Sequence, residues 1–97
     1  MKVVWTREAF EKLTEIEKFI ARDSPRRAEK FIDYLVEQGE LLSKNPQIGR
    51  VLPEISNPKI RELITKKYRI VYRIKKDKIE ILTVFEGHRL LRIEEIE

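Results

Sequence analysis

The sequence predicts an α+β fold, in which an N-terminal strand and a two-helix hairpin pack on one face of a twisted antiparallel sheet of about four strands. Two patterns carry this prediction. Apolar residues recur at helical spacing through the first half of the chain, and over 68–75 every second residue is apolar while three of the four between them are cationic. In addition, only a short segment, RDS at 22–24, separates the two helical stretches. Neither apolar helix face can be buried by the other helix alone, so both require a sheet.

The first strand and the first helix follow from residues 2–21. Residues 2–5, KVVW, are β-branched and aromatic, which is typical of a strand. Thr6 stands where an N-cap residue would precede the helix. The apolar positions of this helix share one face: Ala9, Leu13, Ile16 and Ile20, with Phe10 beside them.

The second helix has distinct signals at both ends. Ser24 as N-cap and Pro25 at the first helical position predict its start. We expect it to run to about Lys44, because the Asn-Pro pair at 45–46 disfavours a further turn. Its apolar face comprises Ala28, Phe31, Ile32, Leu35, Gly39 and Leu42. Because the break before it is brief, the two helices are predicted to form an antiparallel hairpin.

The second half of the chain supplies the sheet. Residues 48–55 are weakly strand-like, and Pro53 indicates an edge or an end. Three stronger strands follow, at roughly 60–65, 68–75 and 78–86.

The composition limits the classes of function. The 97 residues suit a single domain, 1–97, and a charged fraction of 39%, rich in Lys, Glu and Arg, is the bias of hyperthermophile proteins. The net charge of +4 favours acidic partners, such as nucleic acid or an acidic protein. The absence of cysteine excludes disulfides and thiolate metal sites. With no signal-peptide pattern and no apolar run approaching ~20 residues, we expect a soluble, cytoplasmic protein without membrane attachment.

The strand YRIVYRI carries arginines on one face. If residues 76–77 are central in the following turn, Arg73 lies opposite Glu80 and Arg69 lies opposite Val84. The other face, directed at the helices, would consist of the pairs Ile74–Ile79, Tyr72–Ile81, Ile70–Thr83 and Tyr68–Phe85.

The two arginines differ in this register. Arg73 has a carboxylate directly opposite and is expected to be structural. Arg69 has no acid opposite and only Glu86 on a diagonal, so we interpret it as free for an outside anion. A guanidinium on a rigid strand suits bidentate contact with phosphate.

Three further residues are candidates for the same site. His88, the only histidine, and Arg89 follow the last strand in the sequence GHR. Glu62 falls on the arginine face if residues 60–65 pair with 68–73, about opposite Val71. A plainer interpretation stays open: outward arginines are typical of a solvated face, and Glu62 is a suitable salt-bridge partner for Arg69.

Four segments together resemble the RelE/ParE superfamily of toxins from type II toxin–antitoxin modules. They cover nearly the whole chain: WTxxA at 5–9, IARDSPRRAEKFID at 20–33, LLSKNPQIGRVLPEI at 41–55 and IRELITKKYRIVYRIKKDKIEILTVFEGHRLL at 60–91. The resemblance implies two helices packed on a twisted antiparallel sheet. It also implies a cognate antitoxin, whose acidic or amphipathic segment wraps the toxin and covers its basic face.

The resemblance implies one of two toxic mechanisms. RelE-like members enter the ribosomal A site and cleave mRNA, activating the ribose 2′-hydroxyl against its own phosphate. ParE-like members poison DNA gyrase and need no nuclease residues. In the first case, Arg69 and Arg89 match arginines that hold the scissile phosphate, and His88 or Glu62 would transfer protons. Residues that would add attraction to RNA are Arg50, Arg61, Lys66, Lys67 and Arg73.

This chain also departs from the RelE pattern. Ile60 and Glu62 stand where RelE-type enzymes carry paired lysines, and the last segment, RIEEIE, lacks their C-terminal tyrosine. The P-x-x-G-R piece at 46–50 and the IREL piece at 60–63 look closer to the ParE-like branch.

The sequence thus predicts a toxin that inhibits translation through ribosome-dependent mRNA cleavage, as an endoribonuclease acting with the ribosome and without metal or organic cofactor. The first alternative is a non-enzymatic toxin that binds DNA gyrase through its helical hairpin and C-terminal end. The second is an RNA-binding or partner-binding relative that has lost toxicity.

Overall fold

A computed structural model of the chain describes residues 1–87, which form a helical hairpin and one five-stranded sheet. The α+β class is therefore confirmed. The elements in chain order are β1 Lys2–Trp5, α1 Arg7–Ala21, α2 Pro25–Glu40 with a 3₁₀ turn Leu41–Ser43, β2 Arg50–Val51, β3 Ile60–Thr65, β4 Tyr68–Ile74 and β5 Lys78–Glu86.

The sheet is mixed rather than wholly antiparallel. Its order is β1-β5-β4-β3-β2, and β1 pairs with β5 in parallel whereas the other neighbours are antiparallel. A parallel pair needs a long crossover between its strands, and the helical hairpin provides part of that connection. The fifth strand, β2, is only two residues long and forms the opposite edge, where a short strand limits pairing with other chains.

Both predicted helix caps are confirmed. The Thr6 hydroxyl accepts a hydrogen bond from the Ala9 amide and donates one to the Ile81 carbonyl at 2.7 Å, so the start of α1 is bound to β5. The Ser24 hydroxyl accepts a hydrogen bond from the Arg27 amide at the start of α2.

The main core lies between the hairpin and the sheet. We call it the helix-side cluster, and its buried members are Ala9, Leu13, Leu35, Leu42, Ile70, Tyr72, Ile79, Ile81 and Val84. Phe10 was expected beside this face but is 63% exposed. Each helical residue is rotated by about 100° from the one before, which turns Phe10 away from the sheet when Ala9 faces it.

Candidate functional site

The face of the sheet opposite the helices, which the sequence predicts to be an open arginine face, is largely covered. Residues 52–59, between β2 and β3, fold over it and contribute Leu52 and Ile55. The buried residues beneath form a second apolar cluster, the loop-side cluster: Leu52, Ile60, Val71, Leu82 and Phe85. Solvent access to the predicted site is thereby restricted.

A β-bulge explains why this face contains residues assigned to the other one. The predicted register between β4 and β5 is correct near the turn but shifts by one residue between Val71 and Tyr72. Because successive strand residues point to opposite faces, the shift moves Phe85 into the loop-side cluster and Val84 into the helix-side cluster. The predicted pairs Tyr68–Phe85, Ile70–Thr83 and Arg69–Val84 are therefore wrong. The observed pairs are Tyr68–Glu86, Ile70–Val84, Val71–Thr83 and Arg69–Phe85.

Arg69 is not free, contrary to the expectation from its register. Its Nε donates to Oε1 of Glu62 at 2.5 Å and its Nη2 donates to Oε2 at 2.6 Å, forming a bidentate ion pair. The Glu62 side chain is completely buried, and that of Arg69 is 12% exposed. Glu62 lies opposite Val71, as predicted. The ion pair confirms the alternative interpretation, in which Glu62 is a salt-bridge partner of Arg69.

Two further contacts surround this pair. Arg50, on β2, places its Nη2 at 3.4 Å from Oε2 of Glu62, so two guanidinium groups share one carboxylate. The remaining Nη1 of Arg69 donates to the Gly87 carbonyl at 3.4 Å, and the guanidinium carbon lies 5.3 Å from the Phe85 ring centre. Arg69, on β4, thus connects Glu62 in the middle of β3 with Gly87 directly after β5.

The charge state of the pair follows from its geometry. The hydrogen bond to Glu62 raises the pKa of Arg69 above its ordinary value. Burial acts in the opposite direction, whereas the negative charges of Glu62 and Glu54 add to the increase. Arg69 therefore remains a cation throughout the working pH range.

Arg73 behaves as predicted. It lies opposite Glu80 in the sheet, with 4.0 Å between Nη1 and Oε1. Lys75 and Lys78 also approach the same carboxylate, at 3.5 and 4.0 Å. Since these side chains are part-exposed and share one acid, each pair contributes little to stability, at most about 1 kcal/mol.

Arg61, another residue predicted to bind RNA, has a structural contact. Its Nη1 donates to the Gly49 carbonyl at 2.9 Å. The Gly49 amide in turn donates to the Tyr72 hydroxyl, and a Cβ at this glycine would lie 2.6 Å from that oxygen and 2.7 Å from the Glu62 carbonyl oxygen. Only glycine permits so close an approach, which fixes the 46–50 segment against the sheet.

The remaining predicted site residues lie in different places. Lys66 and Lys67 are both exposed at the tip of the β3–β4 turn. Lys66 lies over the ring of Tyr34 in α2, on the helix side of the sheet and away from Glu62. His88 and Arg89 lie outside the described residues, and their assigned roles stay predictions.

Sequence reasoning missed one grouping around Lys66. The α2 residues Arg27, Lys30, Phe31 and Tyr34 line a cleft with Lys66 and Ile20. The signal was the spacing of cations and aromatic residues at i, i+3, i+4 and i+7, which places them along one helix face.

The chemical capacity of the Glu62–Arg69 pair is limited. A general base must reach the proton that it removes, but both Glu62 oxygens accept hydrogen bonds from Arg69 and the side chain has no exposed surface. Within residues 1–87, no group of three His, Asp or Glu side chains is placed to hold a metal ion. Within the same range, neither helix has the length and apolar character needed to cross a membrane.

A helical hairpin on a sheet of this order is also the fold of solved chains from toxin–antitoxin systems. The family described as "ParE toxin of type II toxin-antitoxin system, parDE" matches residues 3–91, and the chain belongs to this family. The protein is therefore a toxin of a type II toxin–antitoxin system, and the resemblance drawn from the sequence is confirmed.

Individual relatives agree with this assignment. The chain is 32% identical over 88 residues to "Putative toxin Y4kP" of Sinorhizobium fredii (strain NBRC 101917 / NGR234), covering 91% of this chain and 90% of that protein. Among solved structures, it resembles a chain of the "Chromosomal ParDE TA system from P. aeruginosa", with a TM-score of 0.75, 27% identity, and coverage of 89% of this chain and 95% of that one.

A second solved structure shares the fold. It is a chain of the toxin–antitoxin complex RelBE2 from Mycobacterium tuberculosis, with a TM-score of 0.65 and 24% identity. The match covers 88% of this chain and 95% of that one.

Proposed function

We propose that this toxin acts by binding DNA gyrase in the cytoplasm rather than by cleaving mRNA. The observation that supports this proposal best is the buried Glu62–Arg69 ion pair. Cleavage through the 2′-hydroxyl needs a base, an acid and groups that stabilise the developing charge. Here one candidate base, Glu62, and one candidate phosphate-binding cation, Arg69, neutralise each other beneath a loop, so neither of these two is available to RNA.

The departures from the RelE pattern support the same proposal. Ile60 and Glu62 occupy positions where RelE-type enzymes carry lysines. Both side chains are buried, and Ile60 belongs to the loop-side cluster. Residues enclosed in a core serve the fold and do not contact a ribosome-bound strand. A ParE-type toxin, whose mechanism is binding, tolerates such an enclosed face.

The helical hairpin offers a surface for the target. Phe10 and Phe19 of α1 are 63% and 61% exposed, although large aromatic side chains are usually buried. Exposed aromatic residues are frequent anchors of protein interfaces. We propose that they contact gyrase, and that a cognate antitoxin of the same module neutralises the toxin by covering its surface.

The direct test adds the purified chain to DNA gyrase in a supercoiling assay. We expect inhibition, with accumulation of cleaved DNA, from the wild type. We expect the same from the double variant Glu62→Leu with Arg69→Met, because an apolar pair of similar volume can replace a buried ion pair without unfolding the protein. Expression of either the wild type or the double variant should also arrest cell growth.

The alternative mechanism makes the opposite prediction for the same two proteins. Primer extension on cellular mRNA would then show cleavage in the ribosomal A site with the wild type and none with the double variant. That result, together with unaffected supercoiling, would contradict the gyrase proposal.

A second experiment tests the hairpin surface. Phe10→Ser and Phe19→Ser remove exposed rings, so they should change the free energy of unfolding by no more than about 0.5 kcal/mol. Gyrase inhibition should fall about tenfold or more if a ring is an interface anchor. Glu17→Ser, an exposed position on the same helix, is the matched control and should inhibit like the wild type. Full inhibition by both phenylalanine variants would place the interface elsewhere.

A further inference from the structure

A cleft lies between α2 and the tip of the β3–β4 turn, on the opposite side of the sheet from Glu62. It encloses about 340 Å³ and is lined by Ile20, Arg27, Lys30, Phe31, Tyr34 and Lys66. We propose that this cleft binds a nucleotide unit of single-stranded nucleic acid, with the phosphate held by the three cations and the base against the two rings.

The cations of the cleft have no carboxylate partners in the described part of the chain. Seven ion pairs join side chains of residues 1–87, and none of them includes Arg27, Lys30 or Lys66. Three positive groups from two different elements thus converge on one concave surface. Such an arrangement attracts an anion from outside the protein.

The charges in the first turn of α2 are unfavourable for the stability of the helix itself. The positive end of a helix dipole favours acidic residues, but α2 has no acid in its first turn and carries Arg26 and Arg27 there. A phosphate bound in the cleft would offset this repulsion, because it would pair with Arg27 near the same helix terminus.

Lys66 is also an unfavourable choice for its backbone position. Its φ of 54° is the one positive value among the non-glycine residues of the described chain, in a two-residue turn where Gly or Asn is usual. Unlike glycine or asparagine, lysine places a cation in the cleft. Its ammonium lies 4.2 Å from the Tyr34 ring centre and 5.9 Å from that of Phe31. A long, flexible cation held over an aromatic surface can turn to a phosphate at its rim.

The rings of the cleft form a fixed surface. Phe31 and Tyr34 lie with ring centres 6.0 Å apart and planes inclined by 24°. The Tyr34 hydroxyl is hydrogen-bonded to that of Thr65, and Phe31 contacts Tyr68 with 5.1 Å between ring centres. An acidic peptide would need only the cations, whereas near-parallel rings beside the cations suit a base attached to a phosphate.

The test measures binding of the full chain to fluorescein-labelled oligo-dT and oligo-U by fluorescence anisotropy over a range of salt. Lys66→Gly and Arg27→Gln should each weaken binding about three- to tenfold and lower the slope of log K against log salt by about 0.7. Lys67→Gly, the same charge change at the neighbouring turn position outside the cleft, should stay within twofold of the wild type. Lys66→Gly should not lower the thermal midpoint, because glycine accepts a positive φ without strain.

A second pair of variants tests the rings separately from charge. Tyr34→Leu should weaken oligonucleotide binding by about fivefold or more, since loss of one stacking partner has that effect. Tyr34→Phe keeps the ring and should bind like the wild type. The oligo-dT and oligo-U measurements then show whether the cleft prefers one sugar.

Three outcomes would overturn the proposal. An equal loss of oligonucleotide affinity in Lys66→Gly and Lys67→Gly would show that a basic surface attracts nucleic acid without a specific cleft. Equal affinity for duplex and single strand would exclude stacking on the rings. Displacement of the oligonucleotide by poly-glutamate at equal charge would assign the cleft to an acidic protein. None of these measurements includes gyrase, so they are independent of the function proposed above.

Discussion

The helix-side face of the sheet is closed by two amphipathic helices, whereas the loop-side face is closed by residues 52–59 and a buried ion pair. The buried members of the first are apolar side chains and Tyr72, whose hydroxyl has two hydrogen-bond partners. The second combines a small apolar cluster with the Glu62–Arg69 pair at its edge. The helix-side face thus depends on packing volume, and the loop-side face depends on the pairing of charges as well.

This difference bears directly on function. A site that must receive a substrate cannot also be closed by its own residues. The loop-side face carries Glu62 and Arg69, two of the residues predicted to be catalytic, yet these two stabilise the contact between β3, β4 and the end of β5. A mutation there is expected to affect stability first.

The largest effect is expected from breaking the ion pair on one side. Glu62→Ala leaves Arg69 in a mostly buried position without its carboxylate, which should lower the free energy of unfolding by about 3–5 kcal/mol. Chemical denaturation at neutral pH measures the change. The double variant Glu62→Leu with Arg69→Met is the control and should be close to the wild type. A loss below about 1 kcal/mol in Glu62→Ala would mean that water replaces the pair.

A cavity placed on each face gives the next comparison. Leu35→Ala, between helix and sheet, should cost about 3–4 kcal/mol, because rigid elements cannot collapse into the space. Leu52→Ala, in the loop-side cluster, should cost about 2 kcal/mol, because a loop can move to fill part of it. Both side chains are completely buried. Any difference between the two costs therefore comes from the rigidity of the surrounding elements and not from a difference in exposure. Equal costs would show that the loop is as rigid as the hairpin.

The smallest effect concerns the polar group of the helix-side core. Burial raises the pKa of Tyr72 above its ordinary value near 10, so the folded state favours the neutral phenol. The contribution of this group is therefore intact below about pH 10 and is lost as the pH rises through the folded-state pKa. Tyr72→Phe should flatten the alkaline decline in stability.

The same substitution has a cost at neutral pH. It removes the hydrogen bond from the Gly49 amide and the one to the Pro46 carbonyl, which should lower the free energy of unfolding by about 1–2 kcal/mol. Tyr68→Phe is the comparison variant for the alkaline decline in stability, because burial and the charge of Glu86 also raise the pKa of Tyr68. An unchanged alkaline decline in Tyr72→Phe would assign the effect to other groups.

Much of the fold could be predicted because its signals are local. N-cap residues, a proline in the first turn and the period of the apolar residues each act within a few residues. The helix starts, the turn register near 76–77 and the pairing of Glu62 with Val71 all followed from such signals. The predicted end of the second helix at about Lys44 is wrong, because α2 ends at Glu40 and the chain continues as a 3₁₀ turn over Leu41–Ser43.

Tertiary structure decided the character of the candidate site. A bulge in β5 exchanges the faces of Val84 and Phe85, and no local residue preference marks its position. Whether Arg69 faces an outside anion or Glu62 depends on side-chain geometry across two strands and on a loop that excludes water. Alternation along a strand shows which residues share a face, but the charges that meet there are set by the folded chain, because burial strengthens a pair that solvent would otherwise screen.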